Sequence, residues 1–409
     1  MNNKTKKLKL FASISLALGL TASLTSCDLL LTSETPSKTP PTPQEDGFVE
    51  GITYDDFQVH SLELGNDYAG DSTYIKAGDI DILIDAGSRK GSAATINKYL
   101  NQYVTDGKLE YVIATHAHQD HIAAFVGNKS GDTRDGVLYQ FEVGTIIDFN
   151  YANTTSAIYK DYLTARDNLV KKGTKHFTAG DCFENKNGAQ QTYQLTEEVS
   201  MQILYNKFYF ETAEDENDYS VITLFTYKKG DVEEEFLLTG DLEKDGEEAF
   251  VEYYNRKDTP SLPEVTYYKA GHHGSKTSSN EALLEAIKPK IVSVCCCAGS
   301  TEYTEYIDNT FPTQDMIDRV AKYTSRVYIT SLFDEKLDKA VSMNGNIIVS
   351  VSSENVAINA TNNLTRLKDT KWFNEIIYVV DKNGEQVQVN KGTAGAYERP
   401  RRIMPKEWK

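Results

Sequence analysis

The chain has 409 residues, with 60 Asp or Glu against 43 Lys or Arg, a formal net charge of −17. Proteins that grip nucleic acid through its phosphates usually present net basic surfaces, so this balance argues against tight, non-specific nucleic-acid binding. A local basic patch or a cation-bridged phosphate remains compatible with it, and the length suffices for one α/β domain with a sizeable core.

The N-terminus reads as a leader. Lys4, Lys6, Lys7 and Lys9 precede a short apolar run from Leu10 to Leu20, too short to span a bilayer as a mature helix. Leu24-Thr25-Ser26-Cys27 follows and resembles a bacterial lipobox. Residues 1–26 are therefore expected to be a lipoprotein signal peptide, with Cys27 lipidated and held at a membrane. Residues 27–51 read as a flexible linker, because Pro36, Pro40, Pro41 and Pro43 and their Ser and Thr neighbours cannot bury a core.

Strand-like alternation begins at Gln58–Leu64. It continues in Ser72–Lys76 and Ile80–Asp85, joined by the turn Ala77-Gly78-Asp79. Ala93–Tyr103 has helical spacing. Tyr111–Thr115 and Val143–Phe149 read as apolar strands, and Ala157–Lys171 as a helix stopped at Gly173. Further strands are expected at Met201–Tyr205, Ser220–Tyr227, Glu235–Thr239, Val265–Lys269, Lys290–Cys296, Arg326–Thr330 and Asn346–Val351. Helices are expected at Leu242–Tyr254, Asn280–Ile287 and Thr313–Thr324. The pattern is α/β. Beyond it, Ile376–Val380 and Glu385–Val389 flank Asp381-Lys382-Asn383-Gly384, a hairpin signal. Residues 353–409 thus read as a C-terminal β-hairpin extension. Its basic cluster of Arg399, Arg401, Arg402 and Lys406 reads as a solvated tail, with a groove or membrane surface as the lesser alternative.

The densest chemistry is Thr115-His116-Ala117-His118-Gln119-Asp120-His121. It holds three of the chain's 7 His within six positions. Imidazoles at i and i+2 of an extended segment point the same way, and imidazole with carboxylate suits Zn, Mn or Fe. Asp241 follows the apolar strand end Phe236-Leu237-Leu238 and Gly240. His272 and His273 follow the strand Val265–Lys269, and Ser275, Lys276 and Thr277 come next. Hydroxyls and an ammonium beside a metal suit an anionic group such as phosphate. Asp71 and Asp85 are secondary candidates, Asp85 as a carboxylate that could orient a ligating imidazole. Cys295-Cys296-Cys297 read as small core residues on a buried strand, with a disulfide to Cys182 left open.

These motifs, taken in order with Leu62-Glu63-Leu64-Gly65 and Gly70-Asp71-Ser72, resemble the metallo-β-lactamase superfamily. They resemble in particular the metallo-β-lactamase-like domain of ComEC-type competence proteins, over residues 52–352. The resemblance implies a four-layer αββα sandwich. It implies two divalent metal ions, Zn or Mn, with His116 and His118 on one and Asp120 and His121 on the other. Asp241 would bridge them, and His272 or His273 would complete the second. His272 is taken as the ligand, with Asp120, His273 and Lys276 as the catalytic set, although the sequence leaves the two histidines interchangeable. Many members supply a further His before the Gly-Asp. Here only His176 lies in that interval, and Asp148 is its rival. Phe311, before Pro312, stands where ComEC-type proteins carry a His.

The implied chemistry is metal-assisted hydrolysis. The leading expectation is a surface-anchored phosphodiesterase or nuclease, acting on a phosphodiester or other small anionic substrate, with nucleic acid possible. Lactonase, β-lactamase-like or choline-phosphate esterase activity on the same fold is the alternative. A non-enzymatic, metal-stabilised binding module is the third.

Overall fold

The computed structural model describes residues 47–304, 306–382, 385–388 and 396–409. The expected signal peptide, Cys27 and nearly all of the linker lie outside the described residues. Among those described, no helix is long and apolar enough to cross a membrane.

Two sheets dominate. The first has nine strands in the spatial order Phe48–Glu50, Val356–Ala360, Ile347–Val351, Phe57–Ser61, Thr73–Ala77, Ile80–Ile84, Lys108–Ala114, Glu142–Asp148 and Lys175–Thr178. The second has eight: Thr192–Gln194, Val199–Ile203, Thr223–Lys229, Val232–Leu238, Tyr267–Lys269, Ile291–Ala298, Val327–Asp334 and Lys339–Ser342. Each sheet contains a parallel block. In the first it runs from Ile80–Ile84 to Lys175–Thr178, and in the second from Val232–Leu238 to Val327–Asp334. Strands buried on both faces read as unbroken apolar runs. Val112, Ile113, Ile146, Ile147 and the whole of Ile291–Ala298 are accordingly buried.

The sheets face each other. Phe57 of the first packs its ring 6.0 and 4.9 Å from Phe225 and Phe236 of the second. Ser61 Oγ lies 2.6 Å from the Tyr267 hydroxyl and 2.9 Å from Ser293 Oγ. The helices Ser92–Leu100, Gln119–Val126 and Ala157–Val170 bury Ile96, Ile122, Phe125 and Tyr162 in the core of the first sheet. Lys244–Tyr254, Glu281–Ile287 and Gln314–Val320 cover the second with Phe250, Leu283, Leu284 and Ile317. The result is the αββα sandwich that the resemblance implies.

The first sheet reaches past residues 52–352 at both ends. Phe48–Glu50 pairs in parallel with Val356–Ala360, which also pairs with Ile347–Val351. In the C-terminal segment, Ile376–Lys382 pairs antiparallel with Glu385–Gln388 and with Ala396–Pro400.

Within the basic cluster, Arg401 and Arg402 are not a solvated tail, whereas Lys406 is exposed. Arg402 is 2% exposed and bonds five oxygens, four of them carbonyls. Arg401 is buried against Glu335 and Glu375. Cys182, Cys295, Cys296 and Cys297 are all free and buried, so the disulfide left open by the sequence is not formed.

Candidate metal centre

The site lies where the C-terminal ends of the parallel strands of both sheets meet, the usual crevice of open α/β sheets. Asp85 follows Ile80–Ile84, His116 follows Lys108–Ala114, Asp241 follows Val232–Leu238, and His272 and His273 follow Tyr267–Lys269. His118 is the N-cap of the helix Gln119–Val126, whose first turn carries Asp120 and His121. Gly87 lets this helix approach: a Cβ there would sit 1.5 Å from the Asp120 carbonyl oxygen. Three residues of the site have left-handed backbone, Asp85 at φ 59°, His272 at φ 44° and His273 at φ 52°. Non-glycine residues hold such conformations only where surrounding structure enforces them.

Four side chains form the centre. Asp71, His121, Asp241 and His273 each place one ligand atom within 4.8 Å of the other three. His121 Nδ1 is 2.8 Å from Asp85 Oδ2, which fixes the ring, and its Nε2 is 3.0 Å from Asp241 Oδ2. His273 Nδ1 is 3.1 Å from both Asp71 Oδ1 and the Cys295 carbonyl. Its Nε2 is 3.2 Å from Asp241 Oδ2 and 3.4 Å from Asp120 Oδ2. His116 extends the group, its ring centroid 4.1 Å from that of His121 and its Nε2 3.0 Å from His118 Nδ1.

Lys269 was not singled out from the sequence. Its buried ammonium contacts Asp71 Oδ2, donates 3.1 Å to the Gly240 carbonyl, and lies 3.6 Å from Asp241 Oδ1. The available signal was its place at the end of the strand three residues before His272. An ammonium that deep needs carboxylate partners, and Asp71 and Asp241 supply them.

Electrostatics follow from burial and from these pairs. Burial alone lowers the pKa of His121, but the carboxylates of Asp241 and Asp85 outweigh it and raise the value to about 10. His273 is likewise raised, against burial, by Asp241 and Asp71. His116 is lowered by burial and by the neighbouring His121 charge. Burial pushes Asp120 up, yet His273 and His121 bring it below the usual carboxylate range. Asp241 is lowered by His121, His273 and Lys269 in the same way.

The donor set fits a divalent cation. Buried polar atoms are nearly always satisfied, but His121 Nε2, His273 Nε2 and Asp241 Oδ1 make no well-aligned hydrogen bond among the described residues, although both nitrogens lie 3.0 and 3.2 Å from Asp241 Oδ2. They converge on one small region together with neutral or anionic donors. His116, His118, Asp120, His121, Asp241 and His273 are the residues that could hold metal. Asp71 is committed to Lys269 and His273, and Asp85 to His121 and Thr115.

The structure rearranges three expectations and adds one residue. His273, rather than His272, enters the cluster, because the left-handed turn swings the His272 ring to Glu243, with Nδ1 2.8 Å from Oε1. Lys276 is exposed and donates 3.1 Å to Asn309 Oδ1, so the cation inside the site is Lys269. Asp148 and His176 meet each other at 2.7 Å, and Asp148 also holds Arg166 at 2.9 Å and the Tyr162 hydroxyl at 3.1 Å. Neither joins the cluster. Tyr303, absent from the sequence reading, reaches Asp120 with its hydroxyl.

Residues 65–127 match the family model described as the metallo-beta-lactamase superfamily. The chain carries this superfamily's fold. The match contains Asp71, Asp85, His116, His118, Asp120 and His121, whereas Asp241 and His273 lie beyond it. Over 117 residues the chain is 29% identical to Recombination protein 2 of Haemophilus influenzae, across 29% of this chain and 12% of that protein. It therefore spans about an eighth of that relative's length. Among solved structures, it is similar to the metallo-beta-lactamase fold protein YhfI from Bacillus subtilis at 12% identity. That alignment covers 66% of this chain and 95% of the other, with a TM-score of 0.35. It is also similar to a metallo-beta-lactamase-annotated protein from Thermotoga maritima at 14% identity, over 46% and 79% of the two chains, with a TM-score of 0.27.

Proposed function

We propose that the protein is a metal-dependent hydrolase whose substrate is a phosphodiester, held near a membrane by lipid on Cys27. The observation that carries the reading is the cluster of His121, His273 and Asp241 with unsatisfied donor atoms at the strand ends. A buried set of this kind has no purpose in stability alone, since unpaired buried polar groups cost free energy. Two divalent ions, Zn or Mn, held by His116, His118, Asp120, His121, Asp241 and His273 would polarise the scissile group and bring water's pKa from about 15.7 towards 7.

The chain's own residues do the rest. Asp85 locks the His121 ring through Nδ1 and leaves Nε2 facing inward. Asp71 and the Cys295 carbonyl lock His273 in the same manner. Lys269 holds one face of Asp241, so its other oxygen points at the two imidazoles. Support for phosphodiester chemistry comes from the ComEC-type motif order and from the name of the Haemophilus relative, a recombination protein. The test is turnover of bis(p-nitrophenyl) phosphate, single-stranded DNA and a lactone, before and after chelation and add-back of Mn²⁺ or Zn²⁺. The expected result is metal-dependent cleavage of the diester and of DNA, abolished by His118→Ala or Asp120→Ala. Turnover that persists in metal-free protein refutes it, and cleavage of the lactone alone selects the alternative hydrolase. For the anchor, Cys27→Ala should move the protein from the membrane fraction to the soluble fraction.

A further inference from the structure

The cluster reaches solvent at its edge, where His118 is half-buried and Asp120 lies under an exposed tyrosine. Asp120 is 9% exposed, and Tyr303, 49% exposed, donates its hydroxyl to Asp120 Oδ2. The Tyr303 ring packs 5.7 Å from Phe311, which in turn lies 5.8 and 5.9 Å from the rings of His272 and His273. Phe311 is an apolar wall with no proton to offer. The other donors around the centre are committed: His121 to Asp85, His273 to Asp71, His272 to Glu243, and Lys276 to Asn309. Lys269 is buried on Asp71 and Gly240, and Thr115 and Ser220 place their hydroxyls beside the buried His116. The Tyr303 phenol differs from these in its exposure: it is the solvent-exposed hydroxyl, among the described residues named here, that bonds a carboxylate of the cluster.

The wall beside it, from Ile307 to Pro312, is held from behind. Arg402 donates to the carbonyls of Ile307, Thr310 and Pro312 at 3.3, 2.7 and 3.0 Å, and Arg399 pairs with Asp308. Tyr303 rests its ring on that wall through Phe311 and its hydroxyl on Asp120, and a donor already oriented needs little reorganisation when a substrate arrives.

We propose that Tyr303 is a substrate-contacting hydrogen-bond donor, its phenol passing from Asp120 to an anionic non-bridging oxygen of a phosphoryl group. This rests on the hydrolase reading above and adds to it the residue that recognises the charged oxygen. No covalent bond forms or breaks at Tyr303, and an incoming phosphoryl oxygen competes with the Asp120 carboxylate for the same O–H. Losing one hydrogen bond to a charged acceptor lowers affinity or rate about ten- to a hundredfold.

The test compares the full chain with Tyr303→Phe, which keeps the ring against Phe311, after loading both with Mn²⁺. Three quantities are read: bound metal per chain, affinity for inorganic phosphate by calorimetry, and turnover of bis(p-nitrophenyl) phosphate. The expected result is unchanged metal, phosphate binding weakened about tenfold or more, and kcat/KM lowered ten- to a hundredfold. Equal phosphate affinity in the two proteins overturns the proposal, as does wild-type protein that binds no phosphate. Loss of bound metal in Tyr303→Phe also overturns it, because the phenol then serves only to hold Asp120. Tyr303-dependent phosphate binding without any diester cleavage sustains the contact and refutes the phosphodiesterase reading instead.

Discussion

Replacing Lys269 by Met tests the charge logic of the centre directly. The ammonium is buried with Asp71 and Asp241, 3.6 Å from Asp241 Oδ1 and in closer contact with Asp71. At 3.6 Å, one unit charge pair at an effective dielectric of about 20 is worth roughly 4–5 kcal/mol. Removing one partner of such a buried pair typically costs about 3–5 kcal/mol, since the remaining carboxylates lose their counter-charge. Lys269→Met should therefore lower the stability of chelator-treated protein by about that amount, read as a shift of the urea midpoint at constant slope. A ligand that binds only the folded state adds about 2.7 kcal/mol at a hundredfold excess over its Kd. A divalent cation can also replace the missing charge, so Mn²⁺ or Zn²⁺ should restore more stability to the variant than it adds to the wild type. Lys269→Arg, which retains charge, should lose less than the Met variant. A metal-free Met variant within about 1 kcal/mol of wild type refutes the argument, as does one that gains no more from metal than wild type does.

Three further outcomes follow from other parts of the molecule. His60 is buried between the Tyr99 hydroxyl at 2.7 Å and Gln58 Oε1 at 2.8 Å, and burial, assisted by Lys76, lowers its pKa to about 3. Its folded value lies below the ordinary one, so the unfolded chain binds the proton more readily, and stability is lost as pH falls from about 6.5 towards 3. Between about pH 6.5 and about pH 4, wild type should lose about 3 kcal/mol more than His60→Gln in denaturant titrations, and parallel curves would contradict this. Lys276→Met removes an exposed contact to Asn309, so stability should change by less than about 0.5 kcal/mol, and diester turnover should stay near wild type. A large fall in turnover would put Lys276 back at the substrate. Arg402→Met takes the guanidinium donor from the carbonyls of Thr310 and Pro312, so the segment from Ile307 to Pro312 should become more open to proteolysis, measured by limited digestion, with bound metal unchanged.

Much of the centre is legible because its parts are local in sequence. His116, His118, Asp120 and His121 fall within six positions, and the strand before them is visible as Tyr111-Val112-Ile113-Ala114. The parallel strands announce themselves as unbroken apolar runs, which is why most element positions agree within a few residues. Short edge strands such as Lys175–Thr178 and Lys339–Ser342 carry no such run. They form because a neighbouring strand already offers its backbone. The choice between His272 and His273 depends on two left-handed residues in succession, a conformation that neither side chain prefers and no local pattern encodes. Lys269 is hidden for a different reason. A lysine at a strand end reads as a surface residue until Asp71, 198 positions away, is brought to it.

The same long-range pairing supports reading the cluster as a functional rather than a purely structural device. Asp71, Asp85, Asp120 and Asp241 are four buried carboxylates, and Lys269 is the one ammonium in contact with them among the described residues. A low-dielectric region cannot hold that excess of negative charge without further cations. The same carboxylates raise the pKa values of His121 and His273, in the direction that a nearby cation would oppose. A core needing only stability would gain from apolar residues in these places. Here the charge is kept, oriented by Asp85, Cys295 and Lys269, and left open to solvent at Asp120 and Tyr303. A sealed cluster could hold an ion for structure, whereas an opening walled by Phe311, with Arg402 behind it, would give the anionic substrate proposed above a way to reach it.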